Sequence, residues 1–380
     1  MKKILNLLLM VFLIPVFSCV NSQTARLYVG TYTGRDNPNG FHIIDVDFGK
    51  GEFTPVSSAD AGPNPSYLCI SKTRSMAYAA NESNRDVDGI RMGSVTALKL
   101  DVEAGTAEKV KALDIPVGGP CFVSITPEED FLLLAHYGAG AISVVRLDAS
   151  GLPAEVTDTI VFRQEGIRSA RGHMTSVGPD GKKIYLTCLA LDKVMIFYLD
   201  KATGKLTQTG TGNIPEGDGP RHFTFSKDGT KMFVINELGS TVTVFNIAAD
   251  GNLTEIQTIS TLPAEGFAER NSCADIHLSK DGNYLYGSNR GHNSIVTYRV
   301  GADGRLTLAG ITPCGGDHPR NFTLDPSGKY LLVGNMGRTV EGSQTPANLS
   351  LFEIDQKTGL PVPFGTPYDL RQSACLKFIE

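Results

Sequence analysis

The chain has 380 residues, a formal net charge of −5, 20% charged residues and 41 glycines. Lysine and arginine are scattered rather than clustered, so neither nucleic acid nor an acidic membrane surface is an expected partner. The length allows one large domain or two ordinary ones, and the abundant glycine favours an all-β chain with many turns.

The N-terminal 19 residues resemble an export signal. Lys2 and Lys3 precede an apolar run over residues 4–17, and small residues follow it. A basic start, an apolar segment too short to span a membrane comfortably and small residues at the cleavage point are typical of a signal peptide. We therefore expect an exported bacterial protein, periplasmic or at the cell surface.

The last four residues of this segment, Val16-Phe17-Ser18-Cys19, are similar to a bacterial lipobox. They predict removal of residues 1–18 and lipidation of Cys19, and residues 20–25 would then form a short tether. Two or more acyl chains are enough to hold a soluble domain at a membrane, so the only expected membrane contact is this lipid anchor. The alternative is an ordinary secretory signal with an incidental cysteine.

Both ends of the remaining chain carry predicted strands without partners. Residues 26–32 and 41–46 match the second and third strands of a repeated four-stranded unit, and a fourth strand begins near Phe53. The chain finishes with one further predicted strand, residues 374–379. We expect this last strand to complete the first unit as its innermost strand, because that closes a ring and leaves no open sheet edge.

Six similar units lie between these ends and recur at roughly 50-residue intervals, in the range of propeller blades. In the clearest, residues 217–237, Phe223 and Phe225 alternate with other residues in one strand, and Asp228-Gly229 predicts a tight hairpin turn. A third strand, a glycine turn and a short fourth strand follow. Six whole units and the shared one predict a single seven-bladed β-propeller over residues 26–380, with four-stranded antiparallel blades.

The predicted loops differ in length in a regular way. Strands one and two, and strands three and four, are joined by short turns, whereas longer loops are expected at residues 82–92, 162–172, 262–272 and 338–347. The longer loops share one face of the ring with the starts of the first strands and the ends of the second strands. Loops that carry charges and glycines favour a binding site on that face.

Polar side chains recur at those strand ends. The starts of the innermost strands contribute Asn64, Arg171, His173, Arg221, His222, Asn271, His318 and Arg320. The ends of the second strands contribute Tyr32, Asn81, Glu82, His136, Tyr137, Asn236, Glu237, Asn289, Arg290 and Asn335. Because a propeller narrows toward its axis, we expect these groups to converge on the mouth of the central channel as a polar small-molecule site. The alternative is an incidental solvated rim.

Several of these motifs resemble the seven-bladed lactonase family, which includes bacterial propeller-type 6-phosphogluconolactonases and fungal carboxy-muconate lactonizing enzymes. The motifs are Gly219-Pro220-Arg221-His222 with Ser226-Lys227-Asp228-Gly229 and Asn236-Glu237, then Ser288-Asn289-Arg290-Gly291, and His318-Pro319-Arg320. The resemblance implies a catalytic site made from His173, Arg221, Glu237 and Arg290. One departure is Arg171-Gly172-His173, which stands where phosphogluconolactonases often have a His-Pro-His-type pair.

The resemblance also implies lactone hydrolysis, in which water adds to an ester carbonyl and creates an oxyanion. Arginine cations stabilise such a charge and bind carboxylate or phosphate, so Arg221 and Arg290 are assigned to anion and oxyanion binding. His173 is the predicted general base, because an unperturbed histidine titrates near ~6.5. Glu237 is predicted to orient its neighbours. Further substrate contacts are expected from His222, Arg171, Asn289, His318, Arg320, Asn236, His136 and Glu82.

No metal or other cofactor is expected, because the sequence has no Cys-x-x-Cys motif or His/Cys cluster. The six cysteines after Cys19 are expected to be small buried apolar residues. The leading function is hydrolysis of a sugar-acid lactone by an exported monomer. Two alternatives stay open: a non-enzymatic propeller that binds sugars or cell-envelope ligands, and a muconate-type lactonizing enzyme.

Overall fold

The computed structural model describes residues 24–379, so the signal segment and Cys19 lie outside the described residues. The described chain forms seven four-stranded antiparallel sheets, as the repeat predicts. Its one helical element within these residues is a single 3₁₀ turn at Leu189–Leu191. No helix between residues 24 and 379 is both long and apolar enough to cross a bilayer.

The strands follow one another in chain order, except that the last strand joins the first blade. Blade 1 contains β1 (Thr24–Thr31), β2 (Gly40–Asp47), β3 (Glu52–Asp60) and β30 (Ser373–Phe378). Blade 2 contains β4 (Pro65–Ile70), β5 (Met76–Val87), β6 (Ile90–Asp101) and β7 (Thr106–Ile115). Blade 3 contains β8 (Pro120–Ile125), β9 (Phe131–His136), β10 (Ala141–Leu147) and β11 (Pro153–Val161).

The other four blades are likewise built from four strands each. Blade 4 contains β12 (Gly172–Val177), β13 (Lys183–Cys188), β14 (Lys193–Asp200) and β15 (Lys205–Asn213). Blade 5 contains β16 (Pro220–Phe225), β17 (Lys231–Asn236), β18 (Thr241–Ile247) and β19 (Leu253–Ser260). Blade 6 contains β20 (Ser272–Leu278), β21 (Tyr284–Arg290), β22 (Ser294–Val300) and β23 (Leu306–Pro313). Blade 7 contains β24 (Pro319–Leu324), β25 (Tyr330–Asn335), β28 (Asn348–Ile354) and β29 (Pro361–Asp369), and a separate hairpin of β26 (Thr339–Val340) and β27 (Ser343–Gln344).

The last strand closes the ring. β30 pairs antiparallel with β1, and Leu376 lies opposite Val29 in this register. Leu376 and Phe378 belong to a buried apolar cluster that joins blades 1 and 7. The predicted closure by the C-terminal strand is therefore confirmed.

Burial follows the position of a strand within its blade. β9, a second strand, is buried along its whole length, whereas β7, a fourth strand, is mostly exposed or half-buried. Second strands are covered on both faces by the neighbouring blades, so they read as continuous apolar runs rather than as alternating ones.

Two connections differ from their predicted forms. The loop expected at residues 82–92 is instead a hairpin extension, because Asp88 and Gly89 both have positive φ and form a two-residue turn between paired Val87 and Ile90. Asp228-Gly229 does not form such a turn, and residues 226–230 connect β16 to β17 as a longer loop. The type I′ hairpin turn that an Asp-Gly pair favours needs positive φ at both residues, and only Gly229 has it here.

Each innermost strand carries an irregularity near its start. In blade 5, Pro220 lies opposite Asn236 and His222 lies opposite Ile235, so Arg221 has no partner in the ladder. In each of the other six blades, the innermost strand pairs with the second strand with the same register shift. A bulge re-aims the side chains beside it, and here it brings the side chains of Arg221 and His222 to neighbouring positions in the channel.

Candidate active site

A repeated backbone hydrogen bond holds one residue at the mouth end of the second strand in six of the seven blades. Glu237 N donates to Gly219 O at 2.7 Å, and Glu82 N donates to Asn64 O at 2.9 Å. Equivalent bonds hold four more residues at the mouth of the channel: Tyr32, Tyr137, Leu189 and Met336. The backbone itself therefore places two carboxylates at the mouth.

Glu237 joins two arginines through one oxygen. Its Oε2 lies 3.0 Å from Arg221 Nε and 3.2 Å from Arg290 Nη2, and the side chains are 16%, 2% and 7% exposed, respectively. Backbone carbonyls hold both guanidinium groups, since Arg221 Nη1 donates to Ala274 O at 2.6 Å and Arg290 Nη2 donates to Cys273 O at 2.7 Å. The structure brings these three predicted residues together.

The three side chains of this cluster keep their charged forms at neutral pH. Burial alone would raise the pKa of Glu237, but the charges of Arg290 and Arg221 hold that pKa below its usual value. Burial and the neighbouring charge of Arg221 lower the pKa of Arg290 to about 10. Glu237 is therefore ionised and both arginines are protonated.

A second ion pair completes the mouth. Arg320 Nη2 lies 3.4 Å from Glu82 Oε2, which also accepts a hydrogen bond of 2.6 Å from the Tyr32 hydroxyl. The guanidinium carbon of Arg320 lies 5.3 Å from the centre of the Tyr32 ring. Three arginines and two carboxylates leave one positive charge, so the mouth favours an anion.

His173 lies beside the arginine cluster and is buried. Its ring centre is 5.6 Å from that of Tyr137 and 5.0 Å from that of His222. Burial and the charge of Arg221 lower the pKa of His173 well below 6.5. The expectation that this histidine titrates near neutrality is therefore wrong, because the imidazolium form is neither solvated nor balanced by a neighbouring carboxylate.

Several buried polar atoms at the mouth have no hydrogen-bond partner among residues 24–379. They include Nε of Arg221, whose contact with Glu237 is an ion pair without hydrogen-bond alignment, and Nε of Arg320, Nδ1 of His173 and Nδ1 of His318. Buried polar groups in folded proteins are normally hydrogen-bonded. Such groups gathered at one mouth are suited to contact a polar ligand.

His222 follows Arg221 along β16, one residue farther from the start of the strand. Tyr67 and Phe122 stack with ring centres 3.9 Å apart, and His222 packs edge-on against them at 5.9 and 5.4 Å. These rings come from three blades and pack together within the channel. Direct substrate contact by His222 is therefore not supported, because both ring nitrogens already face protein atoms: Nε2 faces Arg221 and Nδ1 faces Asp275.

Three other predicted contact residues lie inside the blades. Asn236 Nδ2 donates to Thr241 Oγ1 at 2.8 Å, Asn289 Nδ2 donates to Thr261 O at 3.0 Å, and His136 Nδ1 lies 3.3 Å from Gly118 O. All three are fully buried. The predicted substrate contacts at these positions are wrong, because side chains alternate along a strand and only the next residue reaches the mouth. The side chains of these three residues instead link their own second strands to neighbouring strands and loops: Asn236, Asn289 and His136.

Arg171 and His318 border the mouth. Arg171 is exposed, and its guanidinium carbon lies 5.6 Å from the centre of the Tyr137 ring. Burial and the charge of Arg290 lower the pKa of His318 to about 3, so this side chain is neutral. Beside Tyr137 opens a cavity of about 560 Å³ whose lining includes three arginines: Arg91, Arg168 and Arg171.

Asp275 is a site residue that sequence reasoning missed. It is buried on β20 and accepts a hydrogen bond of 2.7 Å from His222 Nδ1. A charged residue between Ala274 and Ile276 in an apolar strand was the available signal, because carboxylates are almost never fully buried unless paired. His277, two residues on, contacts the same carboxylate at 3.0 Å.

The described residues contain no group of three or more His, Cys, Asp or Glu side chains placed to hold a metal ion. The six cysteines between residues 24 and 379 are free thiols. Five of them are buried, as the sequence predicts, and Cys69 is half-buried.

Comparison with known proteins matches residues 26–378 to the family described as "Lactonase, 7-bladed beta-propeller". The chain is 29% identical over 344 residues to the 6-phosphogluconolactonase of Formosa agariphila, covering 88% of this chain and 93% of that protein. It is 28% identical over 364 residues to the 6-phosphogluconolactonase of Bacillus subtilis, covering 93% and 98%. Its fold is similar to that of the periplasmic gluconolactonase of Pseudomonas aeruginosa, with a TM-score of 0.84 and 27% identity over 94% of this chain and 99% of that one.

Proposed function

The chain belongs to the seven-bladed β-propeller lactonase family, and we propose that its channel mouth hydrolyses a sugar-acid lactone. The observation that carries this proposal is the pair of arginines that share Glu237, beside buried side-chain nitrogens that have no hydrogen-bond partner among residues 24–379. Fixed guanidinium groups in a nearly dry site stabilise an oxyanion without reorganisation during the reaction.

In the proposed reaction, a water oxygen attacks the lactone carbonyl carbon and its proton passes to neutral His173. Arg221 and Arg290 stabilise the negative charge that forms on the carbonyl oxygen. The tetrahedral intermediate then collapses, and the bond between the acyl carbon and the ring oxygen breaks. The leaving oxygen takes the proton back from His173, so the product is an open-chain hydroxy acid.

His173 suits this step because it is already in its base form throughout the neutral range. A low pKa makes it a weak base, but its imidazolium forms only when the oxyanion forms nearby. Opposite charges then develop together in a site of low dielectric constant, where their attraction is strong. Glu237 holds the two arginines and stays ionised through the cycle.

The cavity beside Tyr137 favours a substrate with a second acidic group. Arg91, Arg168 and Arg171 line it, and no ion pair with an Asp or Glu joins them within residues 24–379. Guanidinium groups bind phosphate and carboxylate through paired hydrogen bonds. A phosphate or carboxylate at the far end of a sugar-acid lactone would lie in this cavity while the ring lies at Arg221.

The two other functions considered from the sequence gain no support from the relatives. The named relatives are lactonases, and neither a ring-closing muconate activity nor a non-enzymatic sugar-binding role is favoured. Hydrolysis in ¹⁸O-labelled water tests the proposed reaction. Label in the new carboxyl group supports attack at the carbonyl, whereas label in a hydroxyl group contradicts it.

Export, a lipid anchor at Cys19 and a monomeric state are part of the proposal and rest on the sequence alone. A labelled fatty acid should mark the wild-type protein and leave Cys19→Ala unmarked. Equal labelling of both, or an intact N-terminus at Met1, would contradict the anchor. Sedimentation of the purified protein should give the mass of one chain, and a larger particle would contradict the monomer.

A further inference from the structure

The carboxylate of Asp275 collects four hydrogen-bond donors from three blades. Its Oδ1 accepts from His222 Nδ1 at 2.7 Å, and its Oδ2 accepts from His277 Nε2 at 3.0 Å and Phe322 N at 3.3 Å. The Nδ2 group of Asn321 also donates to Oδ2. Burial alone would raise the pKa of Asp275, but these donors hold the pKa well below its usual value, so the group is ionised.

An ionised carboxylate can only accept, so the ring nitrogen of His222 that faces Asp275 must carry the hydrogen. Burial, with the charge of Arg221, lowers the pKa of His222 to about 3, so the ring is neutral. Its other nitrogen, Nε2, is then an acceptor. That nitrogen lies 3.3 Å from Arg221 Nη1.

Arg221 is therefore held on three sides. Nη1 faces His222 Nε2 and donates to Ala274 O, and Nε pairs with Glu237. A guanidinium fixed in this way presents its remaining donors to the mouth in one orientation. Such preorganisation is what makes hydrogen-bond donors effective toward an oxyanion.

We infer that Asp275 is a positioning residue for lactone hydrolysis: it sets the tautomer of His222, and His222 in turn orients Arg221. The inference rests on the proposed function. Asp275 and His222 act through Arg221 rather than on the substrate, because the carboxylate oxygens and both ring nitrogens already face protein groups.

Asp275→Asn tests this chain of contacts with almost no change in shape. Three donors converge on Oδ2, from His277, Asn321 and the backbone of Phe322, so the amide oxygen of the asparagine takes that place. Its NH₂ group then faces His222 Nδ1. The ring must move its hydrogen to Nε2, where it opposes a donor of Arg221.

The expected result is a fall in kcat of about 10–100-fold with KM changed less than about threefold, by analogy with the loss of an outer contact that orients a metal-binding histidine. Histidine-selective ¹⁵N NMR should show His222 with its hydrogen on Nδ1 in the wild type and on Nε2 in Asp275→Asn. In a merely structural role, Asp275→Asn would lower the melting temperature and leave kcat of the folded variant unchanged.

Glu129→Gln is the matched control. Glu129 is a buried carboxylate that also bridges two blades, with hydrogen bonds of 2.6 Å from Ser71 Oγ and 2.7 Å from Lys72 N, far from the arginine cluster. The Glu129→Gln substitution should lower the melting temperature while leaving kcat and the His222 signal unchanged.

Three outcomes overturn the inference. They are a wild-type His222 with its hydrogen on Nε2, an unchanged tautomer in folded Asp275→Asn, and unchanged kcat in that variant. A wild-type spectrum with the hydrogen on Nε2 overturns the inference even if the variant does not fold. A wild type that hydrolyses no lactone would refute the proposed function, whereas an active wild type with an unaffected Asp275→Asn would refute only the positioning role.

Discussion

Arg221 and Glu237 form a nearly dry ion pair, with 3.0 Å between Nε and Oε2 and side-chain exposures of 2% and 16%. Arg290 approaches the same oxygen from the next blade at 3.2 Å. One carboxylate thus holds together two cations that would otherwise repel each other. The anion-binding capacity of the mouth depends on this shared oxygen.

Replacing Glu237 with Gln should therefore impair both activity and stability. Breaking a buried ion pair by removing one partner costs about 3–5 kcal/mol, because a buried charge is left uncompensated. The displaced arginines should lower kcat/KM by about 100-fold, in the range of a lost oxyanion donor. Thermal unfolding and initial rates measure the two effects.

Asp45→Asn is the control for Glu237→Gln. Asp45 pairs with Arg26 at 2.9 Å near the protein surface. Loss of a surface ion pair costs at most about 1 kcal/mol, and activity should not change. Equal effects of the two substitutions would contradict a special role for Glu237.

The pH dependence of hydrolysis tests the state of His173. Its pKa lies well below 6.5 because it is buried beside Arg221. A histidine with a lowered pKa stays in its base form above that pKa. The base form is lost as the pH falls through the pKa. The value of kcat/KM should therefore be flat between about pH 5.5 and 7.5, and should fall only at lower pH. An inflection near pH 6.5 that disappears in His173→Asn would contradict this account.

Ring closure depends on burial of the last strand. Leu376 is almost fully buried against blade 7, so Leu376→Ala should lower the free energy of unfolding by about 2–5 kcal/mol. Leu308→Ala makes the same chemical change at a side chain that is 43% exposed, and should cost less than about 0.5 kcal/mol. Denaturant unfolding compares them. Similar losses in both variants would mean that β30 does not stabilise the ring.

The arginine-lined cavity should distinguish a lactone that carries a second acidic group from a lactone that does not. Arg171→Gln should raise KM for 6-phosphogluconolactone by about tenfold, because a hydrogen bond to a charged group contributes about 1.5–3 kcal/mol. KM for uncharged gluconolactone should stay within about twofold. Arg146→Gln, which removes a half-buried arginine outside the cavity, should change neither. Equal effects of Arg171→Gln on both lactones would contradict an acidic-group subsite.

The sequence was sufficient for the blades and for the ion-pair cluster. Similar strand units recur at roughly 50-residue intervals, and the unpaired strands at both ends require closure by residues 374–379. Arg221 and Glu237 could be brought together because antiparallel pairing joins the start of one strand to the end of the next. These features depend on local periodicity and on strand pairing between neighbours.

What the sequence could not supply depends on register and on contacts between blades. Asn236 and Glu237 are adjacent in sequence, yet one is inside the blade and the other at the mouth, and a one-residue difference in register reverses the two. The role of Asp275 comes from donors in three blades, which no local pattern reveals. The lowered pKa of His173 likewise follows from burial beside Arg221, which is visible only after folding.

The most direct test of the central claim is acid release from gluconolactone and 6-phosphogluconolactone by the purified wild-type protein and by Arg221→Gln. The account predicts that the wild type accelerates opening of at least one lactone above its spontaneous rate. Arg221→Gln should reduce this acceleration by about 100-fold or more while the circular dichroism spectrum stays unchanged. No acceleration by the wild type, or near-normal rates in folded Arg221→Gln, would contradict lactone hydrolysis at the channel mouth.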